Sequence, residues 1–139
     1  MAKKKKPKKA PAIDPKLAKR YKEHAAERGY HFSTFEWLAA RDPEFEKVRL
    51  PLVEATYLRK NPALPVKYKE LIAATILAFR GYPSVGKHFK RALESGATVE
   101  EVIEALEIAC IPGGMPTLHL GIDHLIELER EHPELFEMS

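Results

Sequence analysis

The chain has 139 residues, 45% of them hydrophobic and 31% charged, a length that suits one domain with its own core. Its formal charge is +3, from 23 basic and 20 acidic residues. Residues 1–12, MAKKKKPKKAPA, hold six lysines and no acid, so residues 13–139 carry 17 basic against 20 acidic residues, a net charge of −3. We therefore predict a disordered, Lys-rich tail over residues 1–12 and a single domain over residues 13–139.

Several classes of protein are excluded by simple counts. The longest apolar run, Leu71 to Phe79, has nine residues, whereas a membrane-spanning helix needs about 20. The lysines near the N-terminus are not followed by the apolar segment of a secretory signal. The single cysteine, Cys110, excludes an internal disulfide, a Cys-x-x-Cys redox pair and a multi-cysteine zinc site. We expect a cytoplasmic protein with no membrane partner, no metal and no cofactor.

The first part of the chain shows three helical signals. Apolar residues recur at helical spacing over 15–29, between a proline and a glycine. Residues 33–36, Ser-Thr-Phe-Glu, have the pattern of a capping box and predict a short helix through Ala40. Asp42 and Pro43 suit the N-cap and the first position of a third helix, which Pro51 interrupts.

The most apolar segment begins at Pro65. It is apolar on most faces after Leu71, which predicts a central helix packed on several sides. Three more helices follow: 84–95, then one from a capping box at 98–101 to a sharp break at 111–116, and finally 116–132. No segment alternates as a strand does, so the sequence predicts an all-α fold of six or seven helices.

An ordered series of motifs lies between residues 64 and 128. It begins with LPVKYKELIAA at 64–74, continues with His88 and the segment ALESGATVEE at 92–101, and ends with Gly-Met-Pro at 114–116. In this order the motifs resemble the carboxymuconolactone decarboxylase family, which includes the AhpD-type alkylhydroperoxidases. The resemblance implies an AhpD-like helical bundle that assembles into homo-trimers or hexamers.

The chain departs from the peroxidase branch of that family. The two cysteine positions of its Cys-x-x-Cys-x-x-x-His motif fall on Gly81 and Ser84, while His88 is retained. A disulfide-cycling peroxidase needs two thiols, so we do not expect a thiol peroxidase. The decarboxylase branch needs none, although Pro112 stands where its tyrosine is expected. The resemblance therefore favours a cofactor-independent lyase acting on a small carboxylated lactone or related organic acid.

The candidate catalytic residues are His88 and Glu70. An imidazole titrates near neutral pH and can deliver the proton that replaces the departing carboxylate. Glu70 matches the proton-relay glutamate of the peroxidase branch and can fix the imidazole tautomer. The candidate substrate-binding residues are Ser84, one helical turn from His88, the cation Arg80, and His119.

Each of these residues also has an ordinary structural interpretation, as a cap, a core residue or a surface charge. The main alternative function is a non-catalytic, oligomeric binding or assembly protein on the same scaffold. The pair His119 and Asp123 lacks a third metal ligand, and the single Glu129-x-x-His132 motif is too little for a di-iron site. The tail lysines have no interleaved aromatic residues, so we expect at most nonspecific contact with nucleic acid.

Overall fold

A computed structural model of the chain describes residues 11–137. This part of the chain contains seven α-helices, one short 3-10 helix (133–135) and no β-strand, which confirms the all-α prediction. The helices are α1 Pro15–Arg28, α2 Ser33–Ala39, α3 Pro43–Thr56, α4 Val66–Phe79, α5 Val85–Glu94, α6 Val99–Gly113 and α7 Met115–Glu131. The tail predicted for residues 1–12 lies outside the described residues, apart from Pro11 and Ala12, which are exposed.

The chain divides by its internal contacts into two units. The N-terminal unit, Met1–Arg59, contains α1 to α3, and the C-terminal unit, Lys60–Ser139, contains α4 to α7. Each unit has its own cluster of buried apolar side chains. A single domain over residues 13–139 stays a prediction.

Helix ends in the N-terminal unit follow the sequence signals with one exception. Asp14 caps α1 and Asp42 caps α3, each with its carboxylate accepting from backbone amides of the first turn. The capping box predicted at 33–36 is wrong, because the N-cap of α2 is Phe32 and no side chain caps this end. Ser33 already lies inside the helix, and Glu36 instead lies 3.4 Å from the ring of His31.

A buried polar cluster lies beside the core of the N-terminal unit. Glu46 is fully buried, and Arg49 donates to both of its carboxylate oxygens, at 2.6 and 2.8 Å. The Tyr21 hydroxyl donates to Glu46 Oε2 at 2.5 Å. Burial and the hydrogen bond to Glu46 raise the pKa of Tyr21 to about 12. The Tyr21 hydroxyl therefore ties α1 to a charge pair that lies within α3 and is largely removed from water.

The C-terminal unit packs four helices around one core. Its most completely buried apolar side chains come from all of α4, α5 and α6: Ala74, Val85, Phe89, Ala92, Val102 and Leu106. Thr98 and Glu101 form the predicted capping box at the start of α6, since each side chain accepts from the other residue's amide. The sequence predicted a break in the chain over residues 111–116. In the structure α6 continues to Gly113, and the break lies at Gly114, which has φ +77°. Pro112 lies in the last turn of α6, where its φ suits a helix but it supplies no N–H to a carbonyl of the preceding turn.

Helix α4 packs against α5, α6 and α7, which fits the central helix predicted from the sequence, but one of its faces stays exposed. Its residues Ile72, Ile76 and Phe79 are 50%, 53% and 61% exposed, and they recur at helical spacing along one face. Ile108 and Ile111 of α6 are 67% and 86% exposed. We call these five residues the apolar face. An apolar run in sequence shows that a helix is hydrophobic all round and does not show whether its neighbours belong to the same chain.

Candidate functional site

Helices α4 and α5 bring His88 and Glu70 together. Glu70 lies on the same face of α4 as Ala74 and Ala78, and all three are buried. Alanines at these positions let α5 pack closely, and His88 faces α4 from between the buried Val85 and Ala92. A glutamate and a histidine 18 residues apart thus meet because two small residues line the contact between their helices.

The two side chains form a short, buried hydrogen bond. His88 Nδ1 lies 2.7 Å from Glu70 Oε2, and only 5% of the histidine side chain and 3% of the glutamate side chain are exposed. The donor and acceptor roles in this contact depend on the tautomer of the imidazole. The contact sets the orientation of the ring, with Nδ1 toward Glu70.

The other predicted site residues are placed around the ends of these helices. Ser84 is the half-buried N-cap of α5, one turn before His88, and its side chain makes no capping hydrogen bond. Arg80 is the exposed C-cap of α4, and His119 is exposed on α7. Within the described residues none of these three side chains forms a hydrogen bond with the His88–Glu70 pair. Their roles in binding substrate stay predictions.

The positions of the missing thiols lie between α4 and α5. Gly81 has φ +67° in the turn after α4, and Ser84 follows it at the start of α5. The free Cys110 lies on α6, where its sulfur is 3.7 Å from the sulfur of Met115. The turn thus provides left-handed backbone and a hydroxyl where the peroxidase branch has two cysteines.

Sequence reasoning missed His124, a residue of α7 that lies near α5. A Cβ atom on Gly86 would be 3.8 Å from His124 Nδ1, so this ring packs against the first turn of the helix that carries His88. The side chain of His124 is 17% exposed. His124 lies three residues after Gly121 and four residues before Leu128, both of which are buried. This helical spacing is the sequence signal that its side chain faces the core.

A groove of about 530 Å³ lies between α4 and α6. Its walls are mostly apolar, with Leu71 and Ile72 from α4 and Ala105 from α6, and Glu101 and Glu104 are its only charged lining residues. Lys67 donates to both oxygens of Glu101, at 2.7 and 2.9 Å. These hydrogen bonds hold the pKa of Glu101 below its usual range. Neither His88 nor Glu70 lines this groove.

No group of three or more His, Cys, Asp or Glu side chains is arranged to hold a metal ion within residues 11–137. In the same part of the chain, every helix is too short or too polar to cross a bilayer.

Comparison with known proteins identifies the family. The model of the carboxymuconolactone decarboxylase family matches residues 43–120, more than half of the chain. Among solved structures, the chain is similar to a Burkholderia xenovorans LB400 protein provisionally described as a carboxymuconolactone decarboxylase. The TM-score is 0.72 at 24% identity, covering 85% of this chain and 94% of that one, a likeness that shows the fold alone. No curated protein matches the chain. By the match to its family model, the chain belongs to the carboxymuconolactone decarboxylase family.

Proposed function

We propose that the chain is a decarboxylase-like lyase acting on a small carboxylated lactone or a related organic acid. His88 is the group that transfers the proton, and Glu70 is the residue that positions it. The observation that carries the proposal is the 2.7 Å contact between His88 Nδ1 and Glu70 Oε2 in a nearly water-free setting. Family membership supports the reaction class, and the absence of thiols at Gly81 and Ser84 favours the branch that needs none.

The reaction has two parts, the loss of carbon dioxide and the delivery of a proton to carbon. When the bond to the carboxylate breaks, carbon dioxide leaves and the electron pair moves into the conjugated carbonyl system of the substrate. A proton must then reach carbon, and His88 in its protonated form can give it from Nε2 and recover another from solvent. Glu70 stabilises that protonated ring with its negative charge, which is worth most where water is excluded. We assign Ser84, Arg80 and His119 to binding the substrate oxygens.

The direct test is turnover by the purified chain. Carboxymuconolactone, related lactones and β-keto acids are incubated with the protein, and loss of substrate absorbance is followed with release of carbon dioxide. We expect turnover of at least one carboxylated lactone without any added metal or cofactor. Inactivity of the wild-type chain on the whole panel would contradict the decarboxylase assignment.

We also propose that the chain works as a homo-oligomer, a trimer or hexamer as the resemblance implies. The apolar face defined above supports this, because five large aliphatic or aromatic side chains at least half exposed on two adjacent helices favour burial against another surface. We expect Ile76→Glu to convert the oligomer to smaller species in light scattering coupled to size exclusion. Val48→Glu, at an exposed site on α3, serves as the matched control. A monomeric wild type, or an unchanged mass for Ile76→Glu, would contradict the proposal.

Burial of the pair also supports a second candidate, a non-catalytic binding or assembly protein. His88 and Glu70, whose side chains are 5% and 3% exposed, can act as a polar brace between α4 and α5. In that case His88→Asn lowers stability, while the wild-type chain turns over nothing in the panel. The turnover assay therefore separates the two candidates.

A further inference from the structure

A small pocket in the N-terminal unit is lined by basic side chains and by no acidic ones. Its volume is about 40 Å³, and α1, α2, α3 and the segment joining α1 to α2 form its walls. Four of its lining residues are basic and none is acidic: the basic ones are His24, Arg28, His31 and Arg49. Aromatic rings make up much of the remaining wall: Tyr21, Tyr30, Phe32 and Phe35. A concave site with basic groups and no acid favours an anion.

Three of the four basic side chains already have an acidic partner. The pairs are Arg49 with Glu46 at 2.6 Å, His24 with Glu54 at 3.0 Å, and His31 with Glu36 at 3.4 Å. Arg28 is different, since no carboxylate of residues 11–137 lies within the 4.0 Å of an ion pair. Arginine carries a positive charge in proteins. The C-terminal end of α1 offers it only about half a unit of negative charge.

The side chain of Arg28 lies among aromatic rings. Its guanidinium lies 4.3 Å from the ring centre of Tyr30 and 4.2 Å from that of Tyr57, so two aromatic rings are its neighbours. One terminal nitrogen donates to the Tyr30 hydroxyl. Nε is buried. Within residues 11–137, Nε and Nη1 of Arg28 have no hydrogen-bond acceptor.

We propose that this pocket binds a small planar carboxylate through the in-plane N–H groups of Arg28. Two parallel hydrogen bonds from a guanidinium match the two oxygens of formate, bicarbonate or the carboxylate end of a small organic acid. One water needs roughly 10–15 Å³ of such space, so a pocket of about 40 Å³ admits a group of a few heavy atoms and excludes a nucleotide. The site is independent of the proposed lyase activity and shares no lining residue with the His88–Glu70 pair.

The test uses the full chain with sodium formate as the probe. We expect the wild type to broaden the NMR line of ¹³C-formate saturably, and formate to raise the unfolding midpoint by roughly 4 °C at tenfold excess over its dissociation constant. Trp37, the single tryptophan, reports unfolding of the N-terminal unit. Arg28→Gln is expected to lose both effects, whereas Arg59→Gln, at an exposed site on the same unit, keeps them.

Competing anions at constant ionic strength identify the source of the carboxylate. Displacement by bicarbonate but not by acetate or benzoate indicates a free small anion, and displacement by all three indicates the end of a longer acid. Chloride that displaces formate equally well would overturn the carboxylate assignment. The proposal also fails if the wild type shows no saturable broadening, or if Arg28→Gln broadens the line as the wild type does. If Arg28→Gln does not fold, the wild-type competition series decides alone.

Discussion

Replacing His88 by asparagine is expected to lower kcat by about 10²- to 10⁴-fold on any lactone that the wild type turns over. Asparagine keeps a polar side chain of similar reach at this buried position, but it has no group that titrates near neutral pH. The KM should change much less than kcat, because in this mechanism the imidazole acts on the reacting carbon rather than on substrate binding. Initial rates over a range of substrate concentrations measure both constants.

The chain offers a closely matched control. His132 also presents Nδ1 to a carboxylate, that of Glu134 at 3.1 Å, but its side chain is 34% exposed. His132→Asn therefore removes the same kind of pair from the surface and should leave kcat unchanged. Circular dichroism checks that both variants keep their helices. A folded His88→Asn variant with the kcat of the wild type would remove His88 from the mechanism.

The second large effect concerns stability of the N-terminal unit. Glu46→Ala is expected to reduce the free energy of unfolding by about 3 to 5 kcal/mol, because it leaves the buried guanidinium of Arg49 without its counter-ion. The side chain of Arg49 is only 15% exposed, and that of Glu46 is fully buried. In the same substitution the hydroxyl of Tyr21 loses the nearer of its two acceptors and keeps the Phe35 carbonyl at 3.2 Å. Urea unfolding followed by Trp37 fluorescence measures the change.

Glu44→Ala provides the comparison on the same helix. Glu44 also pairs with a cation three residues away, Lys47 at 2.6 Å, but these side chains are 77% and 68% exposed. An exposed pair of this kind contributes at most about 1 kcal/mol. If the two alanine variants lost the same small amount of stability, burial would not be the reason for the strength of the Glu46 pair.

Local signals in the sequence predicted the starts of three helices correctly and failed at the start of α2. Asp14, Asp42 and Thr98 cap the helices that follow them, because each can accept from amides one turn ahead without help from the rest of the fold. Ser33 has the same local pattern, yet α2 begins one residue earlier than a serine cap requires. The start of α2 at Ser33 depends on tertiary packing, and a pattern of four residues carries no information about that packing.

The pairing of His88 with Glu70 could be predicted only through the family resemblance. Nothing in the spacing of 18 residues shows that two helices cross at these positions. The cluster around Glu46 was missed for the same reason, since Tyr21 comes from α1 and Glu46 from α3. Apolar patterning likewise shows that Ile76 is hydrophobic, and does not show that its side chain is half exposed in this chain.

Whether Glu70 holds the Nδ1 proton of His88 is measured most directly by ¹⁵N NMR of the labelled imidazole in the folded protein. We predict that Nδ1 is protonated in the wild type and in Glu70→Gln, whose amide oxygen can still accept. In Glu70→Ala the acceptor is absent, and we predict that protonation shifts toward Nε2. An unprotonated Nδ1 in the wild type, or a Glu70→Ala variant with the same imidazole tautomer as the wild type, would contradict the role given to this pair.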